Sequence, residues 1–390
     1  MTAANTVHGG LYLHVPFCRT ICPYCDFAVV PDREPSLHAR WASALARAVD
    51  ADPPEFPLRS VYVGGGTPGR IDPERLRPIL ATTLGPDVRE VTLEANPEDV
   101  TPARLEAWRE IGVSRLSIGV QRLDPDGLRR LGRAASRGAV ERLPQMLAQW
   151  RSLGGTASVD LIYGLLGDEP EQIAGQVDEV LRWPVDHLSA YALTIEPGTP
   201  FGRATLAGRR FAADEDVVAA CYGALLGIIE QQGWESYEVS NFCRPGYRAV
   251  HNTGYWERRP YIGHGPGAAS LRRDGHRWVR TFRHRALAAW LDEPLEIAAH
   301  DVLDDRAIAA ETLLVGLRSD IGVPAALLEP FRARSGAVVA RLFEAGDLVA
   351  SGSEVRMPPR RRMRAEAVAA SWLAALDGAV ETIDNRGSRD

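Results

Sequence analysis

Six short apolar segments, rich in β-branched residues, alternate with helix-like segments between residues 11 and 193. The six predicted strands are LYLHV (11–15), SVYV (60–63), EVTLEA (90–95), RLSIGV (115–120), SVDLIY (158–163) and HLSAYAL (187–193). Helix-like segments between them include 36–49, 102–112, 140–154 and 171–183. Strand followed by helix, repeated at intervals of roughly 25–35 residues, is typical of a parallel sheet built from βα units. Six units rather than eight favour an incomplete barrel.

The chemically unusual segments follow these strands at the points where the strands end. A cysteine-containing loop follows the first strand and GGGTP (64–68) follows the second, while Glu94 and Gln121 end the third and fourth. In parallel βα folds the carboxyl ends of the strands carry the functional groups. The sequence therefore predicts one site along this edge of the sheet.

Three of the five cysteines, Cys18, Cys22 and Cys25, lie within eight residues of one another. Thiolates bind zinc, copper(I) or iron–sulfur clusters, and a structural zinc site takes four protein ligands. Three thiolates suit a centre that keeps one coordination position open. The alternative is a zinc site that His14, Asp26 or the distant Cys243 completes.

Composition and charge exclude several classes of function. The net charge of −6 gives no general basic surface for nucleic acid or anionic membranes, and all 45 Lys+Arg residues are arginine. Without lysine, Schiff-base and Walker A chemistry are excluded. The sequence has no apolar run of transmembrane length and no signal peptide at its start. We expect a cytoplasmic protein that contacts membranes only through a partner, if at all.

The motifs together resemble a known family. HVPFCRTICPYCDF, VGGGTP, TLEANPE, RLSIGVQ, LGR, SVDLIYGL and SAYALTIEPGTPF resemble, in order and spacing, the HemN/HemW group of radical S-adenosylmethionine (SAM) proteins. This resemblance implies a [4Fe-4S] cluster bound by Cys18, Cys22 and Cys25, with SAM chelating the fourth iron. It also implies cleavage of SAM to a 5′-deoxyadenosyl radical, with an electron donor such as flavodoxin or ferredoxin.

The resemblance further implies a set of SAM-binding residues. We expect the glycines of GGGTP to let backbone N–H groups approach SAM near its amino group. An acidic side chain can hold ribose hydroxyls or an ammonium, and an arginine can hold a carboxylate. The implied set comprises Tyr12, Tyr24, Gly65, Gly66, Thr67, Glu94, Gln121, Arg133, Asp160, Thr194 and Ala269.

The hexapeptide HNTGYW (251–256) lies in a segment that we predict to be irregular. A histidine beside tyrosine and tryptophan could supply a ligand for haem iron and flat faces for the porphyrin. HNTGYW resembles the HNxxYW motif of the HemW branch, the haem chaperones. The resemblance implies haem binding through His251, with His264 as the alternative ligand.

Three functions stay open. The first is a haem chaperone that delivers haem to acceptor proteins, and the second is an oxygen-independent coproporphyrinogen III dehydrogenase. The third is a HemN-like radical methyltransferase or cyclopropanase. The oxidative decarboxylases resemble Cys-x3-Cys-x2-Cys-x-Cys, whereas this chain has Phe27 at the fourth position. Phe27 and HNTGYW together favour the haem chaperone.

The predicted organisation has four parts. They are a radical SAM partial barrel (1–240), the HNxxYW segment with connecting elements (241–300), a small α+β winged-helix-like domain (301–378) and a disordered tail (379–390). For the third part the sequence predicts a helix, a turn, two further helices and a short hairpin. It lacks a strongly basic recognition helix, so we expect it to be a lid or an interaction domain rather than a nucleic-acid-binding module.

Overall fold

The structure is a computed structural model that describes residues 7–384, apart from the side chains of 327–335 and 375–384. In chain order its strands are β1 (Gly9–Val15), β2 (Phe17–Cys18), β3 (Val30–Pro31), β4 (Leu58–Gly65), β5 (Glu90–Ala95), β6 (Arg115–Gln121), β7 (Thr156–Tyr163), β8 (His187–Ala192), β9 (Glu235–Ser236), β10 (Asn241–Cys243), β11 (Tyr261–His264), β12 (Ala269–Asp274), β13 (Arg277–Phe282), β14 (Ala299–Leu303), β15 (Val323–Pro324), β16 (Val349–Ser351) and β17 (Glu354–Arg356).

The helices begin at positions that the local sequence marks. Many start with proline after a capping residue, as where the side chains of Thr101 and Asp124 accept hydrogen bonds from backbone N–H groups. In chain order the α-helices are α1 (Pro35–Ala51), α2 (Pro73–Thr83), α3 (Pro102–Glu110), α4 (Pro125–Arg130), α5 (Arg137–Ser152), α6 (Pro170–Leu181), α7 (Pro200–Leu206), α8 (Glu215–Gln231), α9 (Val250–Trp256), α10 (Leu287–Asp292), α11 (Asp305–Arg318), α12 (Ala325–Glu344) and α13 (Ala365–Asp384).

A central sheet confirms all six predicted strands. Within the described residues its twelve strands run in the order β14-β13-β12-β11-β1-β4-β5-β6-β7-β8-β10-β9, and those from β11 to β8 are parallel. Neither end of the row closes onto the other, which agrees with the predicted incomplete barrel. The carboxyl ends of the parallel strands therefore share one edge, where the cysteine loop follows β1.

The two faces of the parallel strands differ in polarity because successive side chains in a strand point to opposite faces. Leu11, Leu13 and Val15 of β1 are fully buried in the main hydrophobic core. The alternate positions carry polar groups, such as Glu94 of β5 and Asp160 of β7. The inner face of the parallel strands thus carries polar side chains, and the outer face packs into the hydrophobic core.

Residues 241–300 are more regular than the sequence predicts. Strands β11 to β14 extend the sheet beyond β1, and HNTGYW lies in helix α9 rather than in a loop. β12 (ASLRRD) and β13 (RWVRTF) lack the apolar runs that revealed the first six strands. Their pairing with each other along six residue pairs, rather than their composition, makes them strands.

The C-terminal segment has a second core, which includes Leu313, Leu317, Leu348 and Trp372. One continuous helix, α12, lies where two helices were predicted, and the predicted hairpin is β16–β17. Helix α13 continues to Asp384, six residues into the predicted disordered tail (379–390). Residues 385–390 of that prediction lie outside the described residues.

No helix in the described part of the chain is both long enough and apolar enough to cross a lipid bilayer.

Candidate functional site

The cysteine loop leaves β1 and returns beside it. β2 pairs with β3, and the backbone N–H of Val30 donates to the Pro16 carbonyl over 2.7 Å. Within the loop, the N–H of Cys25 donates to the carbonyl of Cys22 over 3.1 Å. This pairing fixes a closed loop that carries all three thiols at the carboxyl edge of the sheet.

The three thiols are reduced and differ in exposure: Cys18 is buried, whereas Cys22 and Cys25 are half-buried. Burial raises the pKa of Cys18 to about 11, although the Thr67 hydroxyl donates to its sulfur over 3.7 Å. Burial also raises the pKa of Cys25. Both are therefore protonated without metal, and metal binding must release their protons.

These thiols suit a cluster better than a single zinc ion. Among the side chains that the structure describes, no three His, Cys, Asp or Glu residues are arranged to hold a single metal ion. His14 is held by the Tyr12 hydroxyl at 3.0 Å and the Ala28 carbonyl at 2.9 Å. Cys243 pairs across strands with His187 at the start of β8, away from the cysteine loop. In an iron–sulfur cluster the cysteines bind different irons, so three separate thiols on one loop fit such a cluster.

Gly66 packs directly against the cysteine loop. A Cβ atom at this position would lie 3.0 Å from Cys18 Sγ and 2.8 Å from the Phe17 carbonyl oxygen. Gly65 adopts φ +110°, which favours glycine. The GGGTP turn thus needs its glycines because two backbone segments approach each other closely here.

The N–H groups of this turn are not free to bind SAM, contrary to our expectation. Gly66 N–H donates to the Val15 carbonyl and Thr67 N–H to the Phe17 carbonyl, while Gly65 N–H donates to Glu94. An ammonium is itself a donor and requires acceptors. The carbonyl oxygens of the turn are therefore better suited to the SAM amino group than its N–H groups.

Glu94 is a fixed and partly neutral carboxyl group. It accepts hydrogen bonds from the Tyr62 hydroxyl at 2.6 Å and from Gly65 N–H at 2.9 Å. Burial raises its pKa to about 7, the Tyr62 hydrogen bond opposes the rise, and the nearby Asp160 adds to it. Near neutral pH this group can therefore accept or donate a hydrogen bond to a ligand.

Arg133 connects the carboxyl ends of β5 and β6 to the cysteine loop. Its Nη2 donates to Asn96 Oδ1 and to the Gly119 carbonyl, both at 2.9 Å, and its guanidinium interacts with the Cys22 side chain. Gln121, two residues after Gly119 at the end of β6, has a left-handed conformation with φ +68°. Such a conformation is uncommon outside glycine and often occurs at functional sites.

The remaining predicted SAM residues are spread along the same edge. Burial raises the pKa of Asp160, which accepts from the Ser117 hydroxyl at 3.1 Å. Tyr24 lies against Cys22. Thr194 follows β8 and Ala269 begins β12, on opposite flanks of the parallel strands.

Two polar residues that support this site were missed in the sequence. Tyr62 orients Glu94, and Asn96 bridges Arg133 and the Thr67 hydroxyl, to which it donates over 3.3 Å. Both lie within motifs already recognised, VYVGGGTP and TLEANPE. Tyr62 alternates with the buried Val61 and Val63, and this alternation is the signal that places it on the inner face.

Helix α9 lies at the opposite, amino end of the strands. His251 is 3% exposed, with Nδ1 2.9 Å from Ser60 Oγ and Nε2 2.8 Å from the Tyr255 hydroxyl. The Glu90 carboxylate accepts from the backbone N–H of Val250 and of His251. Burial, aided by Arg115, lowers the pKa of His251 to about 3. Both ring nitrogens of this neutral imidazole are thus occupied.

There is little free space around the His251 ring. The cavity beside it measures about 10 Å³, which is the size of a single water site. His264 is 1% exposed, and its Nε2 lies 3.1 Å from the Asp52 carbonyl oxygen. In this structure neither histidine offers iron an accessible nitrogen.

The chain matches a described family, and its fold matches a solved structure. The family described as "Radical SAM superfamily" matches residues 12–179 of this chain. Escherichia coli coproporphyrinogen III oxidase (HemN), described as a radical SAM enzyme, has the same fold, with a TM-score of 0.77 over 95% of this chain and 91% of that one, at 17% identity. The fold is therefore that of the radical SAM proteins.

Sequence relatives define the family more narrowly. "Heme chaperone HemW" of Mycobacterium tuberculosis is 36% identical over 93% of this chain and 94% of its own length. "Heme chaperone HemW" of Bacillus subtilis is 30% identical, over 80% and 84%. A mitochondrial "Radical S-adenosyl methionine domain-containing protein 1" of Danio rerio is 36% identical, over 68% and 61%. The chain belongs to the HemW/HemN-like family of radical SAM proteins.

Proposed function

We propose that this chain is a haem chaperone of the HemW type, which binds a [4Fe-4S] cluster, SAM and haem and delivers haem to acceptor proteins. The observation that carries the proposal is its similarity, over nearly the full length of both chains, to the M. tuberculosis heme chaperone. The proposal places the protein in the cytoplasm, where thiols stay reduced. A reductant such as flavodoxin or ferredoxin would be a further partner.

Phe27 supports the chaperone over the dehydrogenase. It stands two residues after Cys25, where the decarboxylases are expected to carry another thiol, and its side chain is 63% exposed. The exposed ring is part of the surface beside the cysteine loop.

The chain's own residues have separable tasks at the carboxyl edge. Cys18, Cys22 and Cys25 would hold the cluster, which supplies an electron to SAM when both are bound. The carbonyl oxygens of the GGGTP turn would accept hydrogen bonds from the SAM ammonium. Glu94, oriented by Tyr62, would hold a ribose hydroxyl or the ammonium, and Arg133 would hold the carboxylate.

An anaerobic experiment tests the function. The protein is reconstituted with iron and sulfide, titrated with haem and mixed with a haem-free acceptor, and haem transfer is followed by absorbance. We expect stoichiometric binding followed by transfer. In parallel, coproporphyrinogen III, SAM and a reductant are added, and we expect no decarboxylated product. Product would assign the protein to the dehydrogenases, and failure to bind haem would favour the methyltransferase alternative.

A further inference from the structure

A second cavity lies on the other side of Tyr255 from His251. It measures about 300 Å³, at the lower end of the range of roughly 300–1,000 Å³ that is usual for ligand pockets. Strands β11, β12 and β13 form one wall and helix α11 of the C-terminal segment forms another. Its lining comprises Tyr255, Arg258, Arg259, Tyr261, Leu271, Arg280, Glu311 and Val315.

The lining side chains share one surface because the backbone aligns them. Tyr261 pairs with Leu271, and Leu271 pairs with Arg280, so the three form a row across three strands. Glu311 and Val315 are four residues apart on α11 and therefore lie on one face of that helix. Regular elements thus form two walls of the cavity, and the turn between α9 and β11 adds Arg258 and Arg259.

The cavity has an excess of positive charge. Glu311 is the one acid in the lining, and it pairs with Arg280 at 2.8 Å and with Arg258 at 3.4 Å. Arg259 pairs instead with Glu257, which is not part of the lining. Arg258 and Arg280 share the single carboxylate of Glu311, so the three guanidinium groups exceed their two carboxylate partners by one positive charge. The cavity therefore favours a ligand that carries carboxylate groups.

Arg258 has the features of a residue held in place for a ligand. Its backbone has φ +54°, a left-handed conformation that costs free energy in a non-glycine residue. Its Nη1 is fixed by the Ile308 carbonyl and the Thr312 hydroxyl, whereas its Nε has no hydrogen-bond partner among the described residues. The backbone therefore holds this guanidinium in the cavity wall against α11, with its Nε buried.

The rest of the lining is aromatic and apolar. The rings of Tyr255 and Tyr261 lie 4.8 Å apart at 83°, and Leu271 and Val315 complete the surface. The Tyr255 hydroxyl is tied to His251 Nε2, so the histidine fixes the position of this ring. A flat apolar ligand with two carboxylates matches both parts of the lining.

We propose that this cavity, and not His251, is the haem site of the chain: Arg258, Arg259 and Arg280 bind the two propionates, and Tyr255 and Tyr261 contact the porphyrin ring. The inference rests on the proposed haem-chaperone function. A porphyrin is larger than the cavity, so its carboxylate edge enters and the opposite edge stays exposed for transfer. His251 is then a positioning residue that acts through Tyr255.

Three porphyrins test the site without altering the protein. Haem, metal-free protoporphyrin IX and haem dimethyl ester are titrated into the full-length protein, and binding is followed by quenching of tryptophan fluorescence. Because the carboxylates carry the recognition, we expect protoporphyrin IX to bind within about threefold of haem and the ester to bind at least about tenfold more weakly. Equal binding of the ester, or loss of binding without iron, would overturn the inference.

Variants then locate the site. We expect Arg259→Gln combined with Arg280→Gln to weaken haem binding at least about tenfold. Arg277→Gln, an exposed position on the same strand β13, is the matched control and should leave binding unchanged. An unchanged affinity in the double variant, or an equal loss in the control, would overturn the assignment.

His251→Gln separates positioning from iron ligation. A positioning residue affects haem and protoporphyrin IX alike and leaves the visible spectrum of bound haem unchanged. An iron ligand affects haem alone and alters that spectrum, and this result would return the site to His251. If the wild type binds none of the porphyrins, the proposed function itself fails, whereas binding that ignores the cavity variants refutes only this site.

Discussion

The two motifs that dominate the sequence lie at opposite ends of the same strands, and the structure treats them differently. At the carboxyl end, Cys22 and Cys25 are half-buried on a loop that backbone hydrogen bonds hold in place. At the amino end, His251 is buried, and both of its ring nitrogens are bonded within the protein. The cysteine motif therefore offers sulfur atoms to a ligand. The HNTGYW motif instead uses the His251 nitrogens in hydrogen bonds that hold helix α9 in place.

The contrast teaches that residue type alone does not distinguish a ligand from a structural residue. Cysteine and histidine are both metal ligands in principle. What separates them here is accessibility: Cys22 and Cys25 are half-buried, whereas the His251 ring is buried with both nitrogens hydrogen-bonded, and a linear motif does not contain that information. Substitutions at the two ends should therefore affect different measurements.

The largest effect is expected for Cys18→Ser. Loss of one of three thiolates should lower the iron content of the anaerobically reconstituted protein by more than about tenfold. The thermal stability of the protein should change little. Cys221→Ala, which removes a buried thiol of α8 outside the loop, is the control and should retain its iron. Full iron retention in Cys18→Ser would refute the assignment of the cluster to this loop.

At the amino end, His251→Ala should lower the stability of the protein and leave its iron content unchanged. It leaves the hydroxyls of Ser60 and Tyr255 without a partner and opens a cavity, so we expect the free energy of unfolding at pH 7 to fall by about 3 kcal/mol. Iron content should be unchanged. Denaturant unfolding measures the first and iron analysis the second. His276→Ala, on the exposed turn between β12 and β13, should change neither by a measurable amount.

The pH dependence of that difference is a further check. The pKa of His251 is about 3 in the folded protein and 6.5 in the unfolded chain, so the unfolded state binds the proton first as pH falls. The stability that His251 contributes is complete above pH 6.5 and is lost as pH falls towards 3. The cost of His251→Ala should therefore shrink by about 2 kcal/mol between pH 7 and pH 5. A cost that does not depend on pH would contradict a buried neutral imidazole.

Glu94→Gln should give the opposite pH dependence at the carboxyl end. The pKa of Glu94 rises from 4.5 to about 7 on folding, so its stability contribution is complete below pH 4.5 and is lost as pH rises through 7. Between pH 5 and pH 8 the wild type should lose about 2 kcal/mol of unfolding free energy relative to Glu94→Gln. Asp126→Gln, at an exposed position of α4, should follow the wild type. Parallel curves for wild type and Glu94→Gln would mean that Glu94 ionises normally.

Much of the fold could be predicted because periodicity encodes it. The apolar residues of the six strands alternate or run continuously, and their helices have apolar faces, so the parallel core was accessible from the sequence. β12 and β13 were not, because Arg272, Arg273 and Arg280 interrupt any apolar pattern. Their strand conformation depends on pairing with β11 and with each other, which is a tertiary property.

The site was predictable to the same extent. The cysteine loop and GGGTP are contiguous motifs, and their position after β1 and β4 follows from the topology of parallel sheets. The supporting role of Asn96 depends on contacts with Thr67 and Arg133 from two other segments, and no spacing reveals it. The cavity beside Tyr255 likewise joins β11–β13 to α11, elements that are distant in the chain.

The smallest effect should come from Phe27→Ser, two residues after Cys25 on the cysteine loop. Because Phe27 is 63% exposed, its removal costs little buried apolar area, and we expect the free energy of unfolding to change by less than about 0.5 kcal/mol. Iron content should stay at the wild-type level, since the ring supplies no ligand. The measurements are those used for Cys18→Ser, made on both proteins in one reconstitution. A large loss of iron in Phe27→Ser would show that the exposed ring protects the open side of the cluster. Phe27 would then belong to the cluster site and not to the surface around it.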